Sequence, residues 1–221
     1  MSSETERDAQ CPKCGRQCTF RVTEVLERGD PAVEQLFRGK LNLQKCPQCG
    51  AEFLVEAPLV YKESTPPYLL FLEQSPEDGD IEHLEQEVDN LATEISNQGN
   101  SEKPEVRIVF SRAEFLEKIA LRRKGFDDRL IEYAKLQLFR NTDDIQLSRE
   151  QHRLLFDYSH SDDNVMSFLV FDRNTSTPVN MLQVPMDEFH AVELSLRAND
   201  DAYAELLAAF PGCYVSADRL L

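Results

Sequence analysis

The chain has 221 residues, and its composition argues against several classes of protein. Hydrophobic residues make up 41% of it, with 13 phenylalanines spread along its length, so long disordered regions are not expected. The formal net charge of −16 argues against nucleic acid as a partner, because an acidic surface repels phosphate. Residues 1–10 lack the basic and apolar parts of a signal peptide, and no apolar run is long enough to cross a bilayer. We therefore expect a cytoplasmic protein.

A five-residue cysteine motif occurs twice in the first 50 residues. Cys11-Pro-Lys-Cys14-Gly is repeated as Cys46-Pro-Gln-Cys49-Gly. This spacing lets both sulfurs of one knuckle face the same ion, while proline fixes φ in the turn and glycine allows the positive φ that follows. The pattern predicts that Cys11, Cys14, Cys46 and Cys49 bind one zinc ion as four thiolates. Because protein atoms would fill every position, the zinc is expected to be structural.

Other residues near the motif allow two interpretations each. Lys13, Arg16 and Lys45 stand beside the ligands and can offset the excess negative charge of four thiolates, or they are ordinary surface cations. Cys18 and Cys213 are left over, and we expect both to be inert thiols. A competing ligand or an oxidant-sensitive thiol is the alternative for Cys18.

The first part of the chain is expected to form a flexible segment, 1–10, and a zinc-binding domain, 11–72. Asp30-Pro31 predicts the start of a helix between the knuckles, with aspartate as its N-cap, and Gly39 predicts its end. Strands are predicted after the second knuckle, at Phe53 and Val55, at 59–61 and at 68–72.

An acidic amphipathic helix is predicted within residues 73–96, beginning near 81 after a polar breaker. Its apolar residues recur at spacings of 3 and 4, which places them on one stripe: Ile81, Leu84, Val88, Leu91 and Ile95. The stripe either packs on its own domain or serves in dimerisation or partner docking. The hydrophilic segment 97–105 is predicted to be a linker.

Residues 106–221 are predicted to form a C-terminal α+β domain. A strand at 106–110 precedes a helix that begins with a capping box at Ser111 and Glu114 and ends at Gly125. A second helix, 127–139, completes a helical hairpin. A three-stranded meander follows, at 154–158, 166–171 and 179–184, and the chain returns to helix from Asp187. The fold class is therefore α+β.

No pattern of catalytic residues is recognisable. The four histidines have no metal-ligand spacing: His83, His152, His160 and His190. Three acidic pairs are typical of helix starts and turns: Asp127/Asp128, Asp143/Asp144 and Asp162/Asp163. No nucleophile elbow, phosphate-binding glycine loop or H-E-x-x-H motif is present.

The first 70 or so residues resemble the CpXC domain family, which is named for this paired motif. The resemblance rests on the two knuckles, the Asp30-Pro31 helix, Gly39-Lys-Leu-Asn42, and Pro58-Leu-Val-Tyr61. The helical hairpin, with Glu117-Lys118-Ile119 and Asp127-Asp128, is similar to the part that follows in longer members. The resemblance implies bound zinc and a bacterial or archaeal protein, and it implies no reaction.

Three functions agree with these observations. The first is a zinc-binding protein that acts through contacts with another protein, as an adaptor or regulator. The second is a zinc ribbon that binds nucleic acid, for which the nearly neutral N-terminal segment is the better part of the chain. The third is an enzyme whose site lies in the C-terminal part, near His152, His160 or the acidic pairs. The sequence gives no oligomeric state.

Overall fold

The computed structural model describes residues 3–77, 79–99, 102–141 and 147–220. These residues form six α-helices and ten strands, which confirms the α+β class. They divide into two compact units, Met1–Arg112 and Ala113–Leu221. Among the described residues, no helix combines the length and the apolar character that a membrane span requires.

The first unit contains a five-stranded sheet with the order β1-β2-β5-β6-β7. Neighbouring strands pair antiparallel except for β2 with β5 and β6 with β7, which pair parallel. The strands are β1 (Ser3–Gln10), β2 (Gln17–Glu27), β5 (Leu59–Ser64), β6 (Pro67–Leu72) and β7 (Glu105–Val109). The core of the sheet includes the fully buried Leu26, Tyr61, Leu70 and Ile108.

The first two strands differ from the sequence prediction. Residues 1–10 were expected to be flexible, but Ser3–Gln10 pairs with β2 in a regular antiparallel ladder. The strand β1 is largely exposed and polar, so it has no apolar pattern to indicate it. The strand β2 was not predicted either, although Phe20, Val22 and Leu26 fall on one face at even spacing and are buried.

A short helix and a hairpin complete the metal-ligand region of the first unit. The helix α1 (Pro31–Phe37) begins as predicted, because the Asp30 side chain accepts a hydrogen bond from the N–H of Ala32. The hairpin consists of β3 (Leu43–Lys45) and β4 (Glu52–Leu54), which pair antiparallel.

The amphipathic helix α2 (Ile81–Gly99) lies within the first unit and contacts β7. It begins where predicted and extends past residue 96. The strand predicted at 106–110 is β7, and it pairs with β6 in the sheet of the first unit. The boundary at Arg112 therefore differs from the expected one at 97–105, because parallel pairing with β6 holds β7 in the N-terminal sheet.

The second unit begins with the predicted helical hairpin, α3 (Arg112–Lys124) and α4 (Asp128–Asn141). Gly125, with φ of 76°, lies between them as expected. The predicted meander follows as β8 (His152–Phe156), β9 (Val165–Asp172) and β10 (Pro178–Pro185), in the order β10-β9-β8. Helices α5 (Met186–Arg197) and α6 (Asp200–Ala209) come next, and the 3₁₀ helix Ala217–Leu220 ends the described chain.

Aromatic side chains from three parts of the second unit meet in its core. Phe126, in the connection of the helical hairpin, contacts Phe156 of β8 and Phe189 of α5 with edge-to-face rings. Phe156 also contacts Phe168 of β9 in the same way. These contacts join the hairpin, the sheet and α5 around one apolar core.

A network of buried charges joins α3 to α4. The Nζ atom of Lys118 lies 2.9 Å from Asp128 and 3.3 Å from Glu132, and the Nζ atom of Lys135 lies 2.8 Å from Glu117 and 2.9 Å from Glu132. The side chains of Glu117, Lys118, Glu132 and Lys135 are each at most 4% exposed. The sequence analysis did not predict this network.

The segment after α6 is held by the same charges. The Nζ atom of Lys118 donates a hydrogen bond to the carbonyl oxygen of Val215 at 2.6 Å, and the N–H of Ala217 donates to Glu132 at 2.8 Å. Val215 is fully buried. The C-terminal segment is therefore part of the core of the second unit.

Candidate metal centre

Each cysteine knuckle is the turn of an antiparallel hairpin. The first knuckle joins β1 to β2, whose last pair before the turn is Gln10 with Gln17. Inside the turn, the N–H of Cys11 donates to the carbonyl oxygen of Arg16 at 2.8 Å, and the N–H of Gly15 donates back to Cys11 at 2.9 Å.

The second knuckle repeats this geometry between β3 and β4. The N–H of Cys46 donates to the carbonyl oxygen of Ala51 at 2.8 Å, and the N–H of Gly50 donates to Cys46 at 2.9 Å. Gly15 and Gly50 have φ values of 72° and 70°, so both occupy the left-handed region that glycine adopts without strain. The predicted role of the glycine in the repeated motif is confirmed.

The two turns bring the four predicted ligands together. The sulfur atoms of Cys11, Cys14, Cys46 and Cys49 all lie within 4.8 Å of one another. The sulfur of Cys11 lies 3.7 Å from that of Cys49, and the sulfur of Cys14 lies 3.7 Å from that of Cys46. Cys11 and Cys46 are buried, whereas Cys14 is exposed.

This donor set fits one metal ion. A tetrahedral ion with metal–sulfur bonds of about 2.3 Å separates its sulfurs by about 3.8 Å. The separations of 3.7 Å between Cys11 and Cys49 and between Cys14 and Cys46 are close to this value. Four protein ligands leave no position for a substrate or a water molecule, so the arrangement is that of a structural site.

Backbone N–H groups and neighbouring thiols shift the pKa values of the cluster. The N–H of Cys49 and the N–H of Gln48 donate to the Cys46 sulfur and lower the pKa of that thiol to about 6, against the opposing effect of desolvation. The N–H of Arg16 lowers the pKa of Cys14, but desolvation and the three other thiols together raise it to about 12. Four thiolates this close repel one another, so a cation among them is what allows all four to ionise.

A small apolar cluster holds the two hairpins against each other. Phe20 of β2 contacts Phe53 of β4 edge to face, with ring centroids 5.5 Å apart. Val22 and Val55 are buried in the same cluster. The half-buried Cys18 packs against it and does not belong to the four-sulfur group.

Asn42 positions the second hairpin against β2, and the sequence analysis did not assign it this role. Its side-chain amide accepts a hydrogen bond from the N–H of Thr23 at 2.8 Å and donates one to the Thr23 carbonyl at 3.0 Å. Its φ is 61°, a left-handed conformation that asparagine tolerates better than most residues. The available signal was its place in Gly39-Lys-Leu-Asn42, just before the strand that leads to Cys46.

The three cations beside the ligands are exposed. Lys13, Arg16 and Lys45 make no ion pair with any residue that the structure describes. The aliphatic part of Lys45 lies near Gly50 in the second knuckle.

The residues considered for catalysis are not brought together in the described part of the chain. His160 Nδ1 lies 2.6 Å from the buried Asp157, but no third histidine, cysteine or carboxylate completes a metal-binding group there among the described residues. His152 accepts a hydrogen bond from the N–H of Ser148. The carboxylates of Asp127 and Asp162 accept backbone N–H groups at a helix start and a turn, as predicted. The pair Asp143/Asp144 lies outside the described residues.

The fold and the site define an α+β protein with a four-cysteine ribbon centre built on two hairpins. The chain belongs to the CpXC family, since residues 9–135, more than half of its length, match the family model described as CpXC protein. The match extends from the ribbon through α3 to Lys135, so it includes the first helix of the hairpin and the N-terminal part of α4. No curated protein and no solved structure matches the chain.

Proposed function

We propose that this chain is a cytoplasmic protein-interaction module whose ribbon is held together by one structural zinc ion. Four thiolate ligands in a closed tetrahedral set are the coordination that structural zinc prefers. Four of the six cysteines converge in one cluster that could hold a metal ion, and metal-bound thiols are typical of a reducing compartment.

The exposed apolar residues of α2 carry the proposal of an interaction role. Leu91 is 44% exposed and Ile95 is 43% exposed, on a helix with five carboxylates and no lysine or arginine. The closed metal centre supports the same role indirectly, because it has no open coordination position for chemistry.

The zinc part of the proposal is tested by the metal content of three purified full-length proteins. Wild type and Cys18→Ala, which lies outside the sulfur cluster, are expected to hold one zinc per chain by plasma mass spectrometry. Cys46→Ser is expected to lose it. Because such sites contribute about 10–16 kcal/mol in small zinc domains, Cys46→Ser should also lose the ordered ribbon. A folded Cys46→Ser protein that keeps one zinc would contradict the proposal.

The interaction part is tested by cross-linking the full-length protein in lysate of its native host. A complex of fixed stoichiometry is expected, identified by cross-linked peptides in mass spectrometry and reduced for Cys46→Ser. A well-behaved monomer that cross-links to no other protein would overturn this part and leave the zinc site unaffected.

A further inference from the structure

The helix α2 carries a row of apolar side chains that the described residues of its own unit leave partly exposed. With 100° between successive residues, Glu85, Val88 and Ala92 share the face that is buried. Leu84, Leu91 and Ile95 form the adjacent row, which we name the α2 ridge. Leu84 is half-buried, and the other two are more than 40% exposed.

The charges beside the α2 ridge restrict what can cover it. Glu87 and Glu94 are seven residues apart, and both lie on the side of the ridge away from the buried face. Both are exposed. A partner that packs on the ridge therefore meets carboxylates along its edge.

A second copy of the chain is a poor occupant for this reason. Packing the α2 ridge antiparallel against the same ridge of another molecule brings the row of Glu87 and Glu94 against an identical row. In a parallel pair, that row would meet the side of the partner helix that carries Val88 and Ala92, which its own unit already buries. Like charges at flanking positions of paired helices are destabilising. A helix with lysine or arginine at those positions gains the opposite interaction.

We propose that the α2 ridge binds an amphipathic helix of another protein, with leucine or isoleucine on its apolar face and lysine or arginine flanking it. This inference rests on the proposed interaction role and names the partner chemistry and the surface. The side chains of the α2 ridge are spaced by seven and four residues. This is the apolar repeat of two helices whose axes cross at a shallow angle.

Three fluorescent synthetic helices test the proposal by anisotropy titration with the full-length protein. The first has leucine in the apolar positions and lysine beside them, the second replaces lysine with glutamate, and the third replaces leucine with serine. The first should bind about tenfold or more tightly than either of the others at low salt. Its advantage over the glutamate helix should shrink as salt rises.

Paired variants locate the binding surface. Leu91→Ser with Ile95→Ser should weaken the first helix about tenfold or more, because the exposed parts of both side chains no longer become buried. The matched control is Val192→Ser with Leu194→Ser, which changes two exposed apolar residues of α5 and should have no effect.

A charge reversal gives the second, independent comparison. Glu87→Lys with Glu94→Lys should transfer the preference from the lysine helix to the glutamate helix. The control, Glu82→Lys with Asp89→Lys, changes the net charge equally on the opposite side of α2 and should keep the original preference.

Three results would overturn the inference: no binding of the first helix, equal binding of the serine version, or concentration-dependent self-association that Leu91→Ser and Ile95→Ser abolish. The first two results leave the proposed interaction role intact if cross-linking still detects host complexes that involve other parts of the chain. The third assigns the α2 ridge to a second copy.

Discussion

Replacing Lys135 with methionine should destabilise the second unit more than replacing Glu132 with glutamine. At a pH above the raised pKa of Glu117, the network holds three ionised carboxylates and two ammonium groups, so it has one negative charge in excess. Lys135→Met leaves Glu117 and Glu132 buried without their shared cation. Glu132→Gln removes the excess charge and leaves each lysine one partner, Asp128 for Lys118 and Glu117 for Lys135.

The magnitudes follow from the contacts that each change removes. Removing one partner of a buried ion pair costs about 3–5 kcal/mol, which we expect for Lys135→Met because both carboxylates are at most 3% exposed. Glu132→Gln keeps the shape of the side chain and one acceptor oxygen for Lys118 and Lys135, but its amide nitrogen replaces the oxygen that accepts from the N–H of Ala217. With the charges balanced, we expect about 1–2 kcal/mol for it.

Native-state hydrogen exchange in increasing urea, resolved by mass spectrometry on peptides of α3 and α4, measures this difference within one unit. Zinc is kept saturating so that the first unit stays unchanged. Lys118→Met is the matched control, and it should behave like Lys135→Met. If Glu132→Gln lowers the free energy of unfolding as much as Lys135→Met does, the reasoning from charge balance is wrong. The hydrogen bonds of Glu132 would then be what stabilises the network.

Four further outcomes are expected. Burial, and then the nearby Glu132, raise the pKa of Glu117 despite its cation, so the stability of the second unit should fall as pH rises from about 4.3 through that raised pKa. Glu117→Gln should lose this slope in hydrogen exchange. Asn42→Ala should cost about 1 kcal/mol more than Asn42→Gly in urea unfolding, because only alanine is strained at positive φ. Gly50→Ala should weaken zinc retention against a chelator by about 1–2 kcal/mol for the same reason. In mobility-shift assays at low salt the full-length protein should not bind DNA or RNA, whereas salt-dependent binding would favour the nucleic-acid alternative.

The metal cluster could be predicted from sequence because its determinants are local. Two C-x2-C pairs, each with proline and glycine at fixed places, specify two turns of known geometry. The structure brings all four sulfurs together as expected. The strands that carry the first turn were missed, because β1 is stabilised by pairing with β2 rather than by burial of its own side chains.

The α2 ridge was only half predictable for a different reason. A spacing of 3 and 4 residues places five apolar side chains on one stripe, but it does not predict how much of that stripe a neighbouring element covers. Val88 packs in the first unit, whereas Leu91 and Ile95 stay exposed. Packing on its own domain is therefore correct for the buried side of the stripe, and dimerisation or partner docking stays a prediction for the exposed side.

The buried charges could not be predicted from the sequence, because a charged residue in a helix is normally expected to be exposed to solvent. Glu117 and Lys118 are adjacent on α3, and their partners lie on α4. Pairing with opposite charges on the other helix offsets the cost of removing these side chains from water. A sequence shows the charged residues but not which of them are paired. Helical periodicity alone would place at least one of them in water.

The family match ends at Lys135, and it includes all the charges of the network but not all of their partners. Glu117 accepts a hydrogen bond from the N–H of Phe156, and Lys118 and Glu132 bond to Val215 and Ala217. In this chain the helical hairpin of the matched region therefore depends on residues beyond that region to satisfy its buried groups. The C-terminal sheet and segment accordingly complete the fold of the second unit, and they are not an addition to a hairpin that is already satisfied.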